Sequence, residues 1–334
     1  MNSIEIPAQA KVNLFLKVLS KRKDSYHNIL TLFERISLAD IIKITKIPKG
    51  IIVKSDKLIT RNPKDNLVYK AAELILKHGK IKSGVEIEIK KKIPIAAGLG
   101  GGSSDAAAAL IGIDKLFRLK SDDEILTALG KKLGADVPFF ILDTPFAIGR
   151  GRGDKLKVVR SKARFWHLLV YPGFKAATKD VYKAFEGSKY LTPRQGSVKI
   201  QALLSGYGGG AVRRSQRQKR FGEGGTSHLN FARLCSRNFL QEAVENLRMG
   251  YQNIESMLYN DLEAAAVSKK KSLGKILKGL AHLLGREAIV SGSGPSLFCL
   301  YKKRKEAIKA RIKVLKSVPA RHRHGWLIFV VGTA

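Results

Sequence analysis

Residues 94–109 read Pro94-Ile95-Ala96-Ala97-Gly98-Leu99-Gly100-Gly101-Gly102-Ser103-Ser104-Asp105-Ala106-Ala107-Ala108-Ala109. Just upstream, Val85-Glu86-Ile87-Glu88-Ile89-Lys90 alternates apolar and charged side chains, the period of a strand buried on one face. Downstream, the alanine run continuing into Leu110 favours helix. The order is therefore strand, glycine loop, helix. Successive glycines let the backbone close on a ligand and aim its N–H groups inward, and the helix adds the positive end of its dipole. That cradle suits the triphosphate of ATP. It is not a Walker loop, because no Gly-Lys-Ser/Thr closes it. Its spacing does not fit a dinucleotide fingerprint either, and no acidic residue ends a following strand. The plainer alternative is a flexible turn, against which the two serines and the helix both weigh.

Outward from the loop, Lys11 to Val18 alternates and predicts a strand opened by Lys11, with Val12, Leu14, Leu16 and Val18 on one face. Leu38 to Ile44 and Gly50 to Val53 predict further strands. Asp65 and Asn66 give an N-cap signal before an amphipathic helix over 67–76, ended by Gly79. Ser121-Asp122-Asp123-Glu124 opens another helix with acids in its first turn, and Gly134-Ala135-Asp136-Val137-Pro138 follows it. His167 to Tyr171 predicts a strand closed by Pro172-Gly173. Ala288-Ile289-Val290, Ser291-Gly292-Ser293-Gly294-Pro295-Ser296 and Leu297 to Tyr301 predict strand, tight turn, strand. Trp326 to Val331 has strand length, and Phe239 to Met249 reads as helix. Residues 206–225 differ: three glycines precede Arg213, Arg214, Arg217, Lys219 and Arg220, which reads as a basic loop.

The 334 residues fit two domains or one large domain with an insertion, and 44% hydrophobic residues suffice for a sizeable core. Sixty-two Lys and Arg against 27 Asp and Glu leave a net charge of +35, which suits anionic substrates or a polyanion. Two cysteines, Cys235 and Cys299, exclude a disulfide framework and a Cys-rich zinc site, and fit the reducing cytoplasm. MNSIEIPAQAK lacks the apolar core of a signal peptide, and no apolar run reaches the roughly 18 residues of a membrane span. The basic segment Arg213 to Arg220 is flanked by Tyr207 and Phe221 but has no interleaved aromatic platform, so a nucleic-acid partner is disfavoured.

Read alone, Lys11 is an exposed lysine at a strand end and Asp136 is a turn aspartate. Tyr26-His27 is either a surface aromatic pair or a platform for a base. Gly149-Arg150-Gly151-Arg152-Gly153 reads as a turn bearing solvated arginines rather than an anion nest.

Taken in order, Ala8-Gln9-Ala10-Lys11-Val12-Asn13-Leu14, the glycine block and Ser291–Ser296 resemble the GHMP kinase superfamily. Tyr26-His27 with Thr31-Leu32-Phe33, the GLGGGSSDAA run at 98–107, Gly134–Pro138 and Asn260-Asp261-Leu262-Glu263 narrow the resemblance to the branch acting on 4-diphosphocytidyl-2-C-methyl-D-erythritol. The resemblance covers most of the chain outside about 206–252. It implies an α+β fold of two lobes, an S5 domain 2-like N-terminal lobe over 1–160 and a ferredoxin-like C-terminal lobe over 161–334, with 206–252 a basic insertion and the active-site cleft between the lobes. It implies ATP along Pro94, Ile95, Ala96, Ala97, Gly98, Leu99, Gly100, Gly101, Gly102, Ser103 and Ser104, with Asn66 near the adenine. Lys11 and Asp136 match the catalytic pair; Asn13, Tyr26, His27, Thr178 and Tyr182 match substrate positions. The implied reaction phosphorylates the 2-hydroxyl with ATP and Mg²⁺ in the methylerythritol phosphate route to isoprenoids, in a bacterial cytoplasm, by a monomer or homodimer. Ser103 or Ser104 is the candidate metal ligand.

Asp136 then orients the hydroxyl and takes its proton, while Lys11 holds Asp136. A neighbouring ammonium makes a carboxylate a weaker base. A loose phosphoryl-transfer transition state tolerates this, because positioning then matters more than basicity. Three departures from the family pattern stand out: Gln9 for proline, Ser25 for glycine before Tyr-His, and the 206–252 region. If residue 25 takes a positive φ, serine strains that turn. Other readings are a mevalonate- or homoserine-type kinase, which Tyr26-His27 and the triple glycine oppose, a basic RNA-binding relative, and a catalytically dead copy.

Overall fold

A computed structural model describes residues 2–187 and 252–334, with Gln241, Val244, Glu245 and Leu247 between them. The basic segment Arg213–Arg220, Tyr207, Phe221, Cys235 and most of the helix read over 239–249 lie outside the described residues.

Strands β1 (Ser3–Lys21) and β2 (His27–Ile47) form a long antiparallel hairpin at the centre of a seven-stranded sheet. On one side of the hairpin, β4 (Gly84–Lys90) pairs with the second half of β2 and β3 (Ile51–Ser55) pairs with β4. β5 (Phe146–Gly151) pairs with the first half of β2, and β6 (Lys155–Val158) with β5. On the other side β1 takes a short parallel strand, β8 (Tyr259–Asn260), from the far end of the chain. The second sheet runs β11 (Leu327–Gly332), β7 (Trp166–Tyr171), β10 (Leu297–Tyr301), β9 (Ile289–Val290).

The first sheet carries helices α1 (Leu67–His78), α2 (Gly101–Phe117), α3 (Asp123–Leu133) and α4 (Val137–Ile141) on one face. Their core joins Ile42, Ile44, Val85 and Ile87 of the sheet to Ala71, Ala72 and Ala106–Ala109. Alanines here let α2 lie close on the sheet. At Gly112 a Cβ would fall 2.5 Å from Ile44 Cδ1. The opposite face packs directly on the second sheet, where Val12, Leu14, Leu32 and Ile36 meet Leu169, Phe298, Leu300 and Val331. The second sheet's other face is covered by α5 (Thr178–Glu186), α6 (Glu263–Lys269), α7 (Lys271–Leu284) and α8 (Arg304–Ser317).

Two features of β1 differ from the sequence reading. The strand starts at Ser3, so Lys11 is its ninth residue and is buried, not an exposed strand end. Its alternation also breaks: the register slips between Asn13 and Phe15. A bulge inserts one residue and reverses which face the following side chains take. Val12 and Leu14 therefore join the inter-sheet core with Phe15, while Leu16 joins the core under α5–α7.

The hairpin turn closes through the Arg22 N–H to the Tyr26 carbonyl at 2.7 Å and the Ser25 N–H to the Arg22 carbonyl at 3.2 Å. Ser25 sits at φ +65°, the left-handed region that costs a side-chain-bearing residue about 1–2 kcal/mol. Glycine removes that strain but loses more chain entropy on folding. Ser25→Gly is expected to raise stability by roughly 0.5–1 kcal/mol net, read as a higher urea midpoint with unchanged slope.

Candidate active site

The glycine loop is held by its carbonyls. Ala96 accepts from the Ala176 N–H at 3.3 Å, Ala97 from the Ser296 N–H at 3.2 Å, Gly98 from the Ser291 hydroxyl at 3.2 Å and Leu99 from the Lys11 N–H at 3.0 Å. Four successive acceptors are thus occupied by β1 and by the second lobe. Positive φ at Ala96, Gly98 and Gly100 bends the chain between these ties. Gly98 has no room for a side chain: a Cβ would lie 2.2 Å from the Ser291 carbonyl oxygen. Gly100 then N-caps α2 with no side-chain hydrogen bond, and Ser104 N–H to Gly100 O at 2.9 Å is a bond of the first turn. The N–H groups of Gly101, Gly102 and Ser103 precede it and have no acceptor within the helix. They supply an anion site at a positive helix end.

Pro94, Ala97, Leu99 and Ser104 are buried, whereas Ile95, Ala96, Gly98, Gly100, Gly101, Gly102 and Ser103 retain exposure. The loop therefore offers backbone and the Ser103 hydroxyl rather than Ser104. Ser103 Oγ lies 3.9 Å from the Cβ position of Gly134, so it faces the Asp136 turn. Asn66 caps α1, its Oδ1 accepting from the Val68 N–H at 2.9 Å. Leu67, the next residue, reaches within 3.9 Å of the Cβ position of Gly102, which puts the start of α1 beside the loop.

Under the loop is a buried ionic group that sequence reading missed. Lys91 Nζ donates to Asp40 Oδ2 and to Asp105 Oδ2, the latter at 2.7 Å, and lies 3.5 Å from the Cβ position of Gly101. Asp40 also accepts the Ile93 N–H at 2.8 Å. Burial pushes the Asp105 carboxyl up to about 7, with Lys91 pulling it back and Asp40 pushing it further.

On the floor of the cleft, Lys11 Nζ donates to Asn13 Oδ1 at 2.6 Å and lies 3.6 Å from Asp136 Oδ2. Its stem runs beside Gly100, and its ammonium sits 5.4 Å from the centre of the Phe33 ring. Asp136 is placed by the Gly134-Ala135 turn at the start of α4 and is partly exposed to the cleft. The turn 291–296 closes over this pair. A Cβ on Gly292 would fall 3.2 Å from Asn13 Oδ1 and 3.4 Å from Lys11 Nζ. Asn260 fixes the turn, its Nδ2 donating to the Val290 and Gly292 carbonyls at 2.7 Å each. Thr178, at the start of α5, exchanges a hydrogen bond with Ser293 at 2.9 Å.

Tyr26 and His27 differ from each other. Tyr26 is 56% exposed, while His27 is 8% exposed, its ring stacked on Tyr182 at 5.1 Å. His27 Nε2 lies 3.3 Å from Glu186 Oε1, and Lys21 holds Glu186 at 2.8 Å. Burial lowers the His27 pKa, Glu186 opposing and Lys21 reinforcing the shift, so the ring is neutral at pH 7. The turn expected over 149–153 is shifted: Gly149–Gly151 end strand β5 paired with β2, and the turn is 152–154, where the Arg152 guanidinium covers the Tyr26 ring at 5.2 Å and pairs with Asp154 at 3.5 Å. Glu186 was legible as a helical neighbour of Tyr182 four residues away on α5. Arg152 carried no such signal. Tyr182 of α5 stacks on His27 of β2, and the 152–154 turn brings Arg152 onto the neighbouring Tyr26.

A two-lobed fold with a glycine loop and a Lys-Asp pair between the lobes defines a small-molecule kinase of the GHMP class. The chain matches the families described as GHMP kinases N terminal domain, over residues 66–144, and GHMP kinases C terminal, over residues 238–319. It belongs to the 4-diphosphocytidyl-2-C-methyl-D-erythritol kinase family. It is 32% identical to such a kinase of Syntrophus aciditrophicus over 92% of this chain and 93% of that one. It is 34% identical to that of Moorella thermoacetica over 89% and 90%. A crystal structure of 4-(cytidine 5'-diphospho)-2C-methyl-D-erythritol kinase superposes with a TM-score of 0.69 at 28% identity, covering 99% of this chain and 100% of that one. Homoserine kinase from Cytophaga hutchinsonii shares the fold, with a TM-score of 0.68 at 19% identity. Among the described residues no helix is long and apolar enough to cross a membrane.

Gly98→Ala forces a side chain into the Ser291 carbonyl and into a positive φ. It is expected to weaken ATP binding at least about tenfold, read by nucleotide titration. For Asp105 the folded-state pKa is raised, so the ionised form costs stability and the protein gains stability as pH falls through about 7. Relative to Asp105→Asn, the wild-type unfolding free energy is expected to rise by roughly 1 kcal/mol between pH 8 and pH 6.

Proposed function

We propose that the chain transfers the γ-phosphoryl group of ATP to the 2-hydroxyl of 4-diphosphocytidyl-2-C-methyl-D-erythritol. The observation that carries this reading is the Lys11–Asp136 pair set between the glycine loop and the Tyr26-His27-Tyr182 cluster. The loop N–H groups bind the phosphates, and the start of α1 with Asn66 borders the adenine. Tyr26 and Tyr182 give the cytosine aromatic faces, and neutral His27, with Nε2 directed at Glu186, keeps Nδ1 as a hydrogen-bond acceptor. A ring held neutral suits a base that is itself uncharged.

Asp136 orients the attacking hydroxyl and receives its proton late, as phosphoryl transfer proceeds. Lys11 keeps Asp136 in place and puts positive charge beside the transferring group. Among the described residues no group of three His, Cys, Asp or Glu side chains could hold a metal. That fits Mg²⁺, which is carried largely by phosphate and water and takes only one or two protein oxygens. Ser103 and Asp136 would provide them, and the ion would neutralise phosphate charge. The partner is a small-molecule substrate carrying a cytidine diphosphate, and a buried free thiol at Cys299 suits the bacterial cytoplasm. We assign residues 1–160 to the ATP lobe and 161–334 to the substrate lobe, with β8 as the strand the second lends to the first.

The test is ATP turnover with 4-diphosphocytidyl-2-C-methyl-D-erythritol, with mevalonate and homoserine in parallel. Cytidyl-dependent turnover is expected, and Asp136→Ala should lower kcat by about 10²- to 10⁴-fold. Turnover of mevalonate or homoserine instead would reassign the substrate.

A further inference from the structure

We propose that Thr31 is a positioning residue for phosphoryl transfer, acting on Lys11 through Asn13. The inference rests on the kinase reading of the Lys11–Asp136 site. Thr31 is fully buried on β2, paired with Leu16 of β1 one position beyond the bulge. Its hydroxyl donates to the Phe15 carbonyl at 2.7 Å, and Asn13 Nδ2 lies 2.7 Å from Thr31 Oγ1. A hydroxyl has one proton. With that proton on the Phe15 carbonyl, Thr31 Oγ1 can only accept from Asn13, so the amide nitrogen must face Thr31 and the amide oxygen must face Lys11. The reversed amide would point its N–H group at the Lys11 ammonium, donor against donor, at 2.6 Å.

The consequence for Lys11 is directional. One of its three protons is taken by Asn13 Oδ1, and Asp136 Oδ2 lies 3.6 Å away as the ion-pair partner of the ammonium. This leaves a proton for the phosphate. Asn13 is 1% exposed, so water cannot substitute for a lost partner. The bulge makes the arrangement possible: the register slip at Asn13/Phe15 turns the Phe15 carbonyl toward Thr31 while Asn13 stays on the cleft side. Without the hydroxyl, nothing holds the amide oxygen toward Lys11, and the ammonium loses its fixed orientation rather than its charge. Substrate and nucleotide contacts remain, so the effect belongs in kcat and not in KM.

The experiment compares Thr31→Val, which keeps the shape, with Thr31→Ser, which keeps the hydroxyl. Each is made alone and in an Asn13→Leu background. Thr31→Val is expected to lower kcat by roughly 10- to 100-fold with KM for ATP changed less than about threefold, and Thr31→Ser is expected to restore most of it. In the Asn13→Leu background Thr31→Val should have no further effect, because the amide it orients is gone. Wild-type kcat in Thr31→Val, or an equal loss in both backgrounds, overturns the proposal. If the cytidyl substrate proves wrong, the series is run on whichever alcohol the wild type phosphorylates, so the two readings fail separately. An NMR readout needs no turnover: the Asn13 side-chain amide protons of the wild type should exchange slowly with solvent. Fast exchange there overturns the proposal even if no variant folds.

Discussion

Four carbonyls in a row, from Ala96 to Leu99, are bound to groups outside the loop, and the site depends on that constraint. A glycine-rich stretch has little conformational preference of its own, so N–H groups aimed at a phosphate would scatter as the chain fluctuates. Tying the carbonyls to β1, to Ala176 and to the 291–296 turn removes that freedom and leaves the donors facing the cleft. The ties also cross between lobes. Glycine loop and second lobe are therefore one hydrogen-bonded unit, and the loop is referenced to Lys11 directly through the Lys11 N–H.

Charge under the loop follows a related logic. Lys91 beneath Gly101 would reinforce the positive end of α2, yet a bare buried ammonium is costly. Asp40 and Asp105 make it tolerable, and Asp40 is itself satisfied by backbone N–H groups. Asp105 is the weak member: burial raises its pKa to about 7. The resulting group can shed a negative charge near neutral pH directly below the glycine loop. Thr31, Asn13 and Lys11 form a second buried polar chain, which runs from the Phe15 carbonyl through the Thr31 hydroxyl and the Asn13 amide to the Lys11 ammonium.

The Tyr26–His27 pair is built on a different principle. Tyr26 stays exposed while His27 is enclosed by Tyr182, Phe185 and Glu186. An open aromatic can receive a ring, and an enclosed one can present a fixed edge. Ser25 holds this pair at the hairpin turn in a left-handed conformation that glycine would adopt without strain. Arg152 lies over the Tyr26 ring, which adds a cation to the same platform.

Local chemistry alone specified much of this protein. The N-cap at Asn66, the strict alternation over 85–90 and the glycine-to-alanine switch at 102–106 act between neighbours in the chain, so their consequences can be read from the order of residues. The ordered motifs likewise pointed to Lys11 and Asp136, although neither residue is distinctive by itself. Tertiary structure decided what depends on partners far away in sequence. The β1 bulge reverses the face of Leu16, which no alternation rule anticipates, since its cause lies in pairing with β2. Asp40, Lys91 and Asp105 are separated by 51 and 14 residues and meet only when α2 docks on the sheet. Arg152 reaches Tyr26 only because β5 pairs with β2. Burial, not residue type, sets the charge of His27 and Asp105, and burial exists only once the chain has packed.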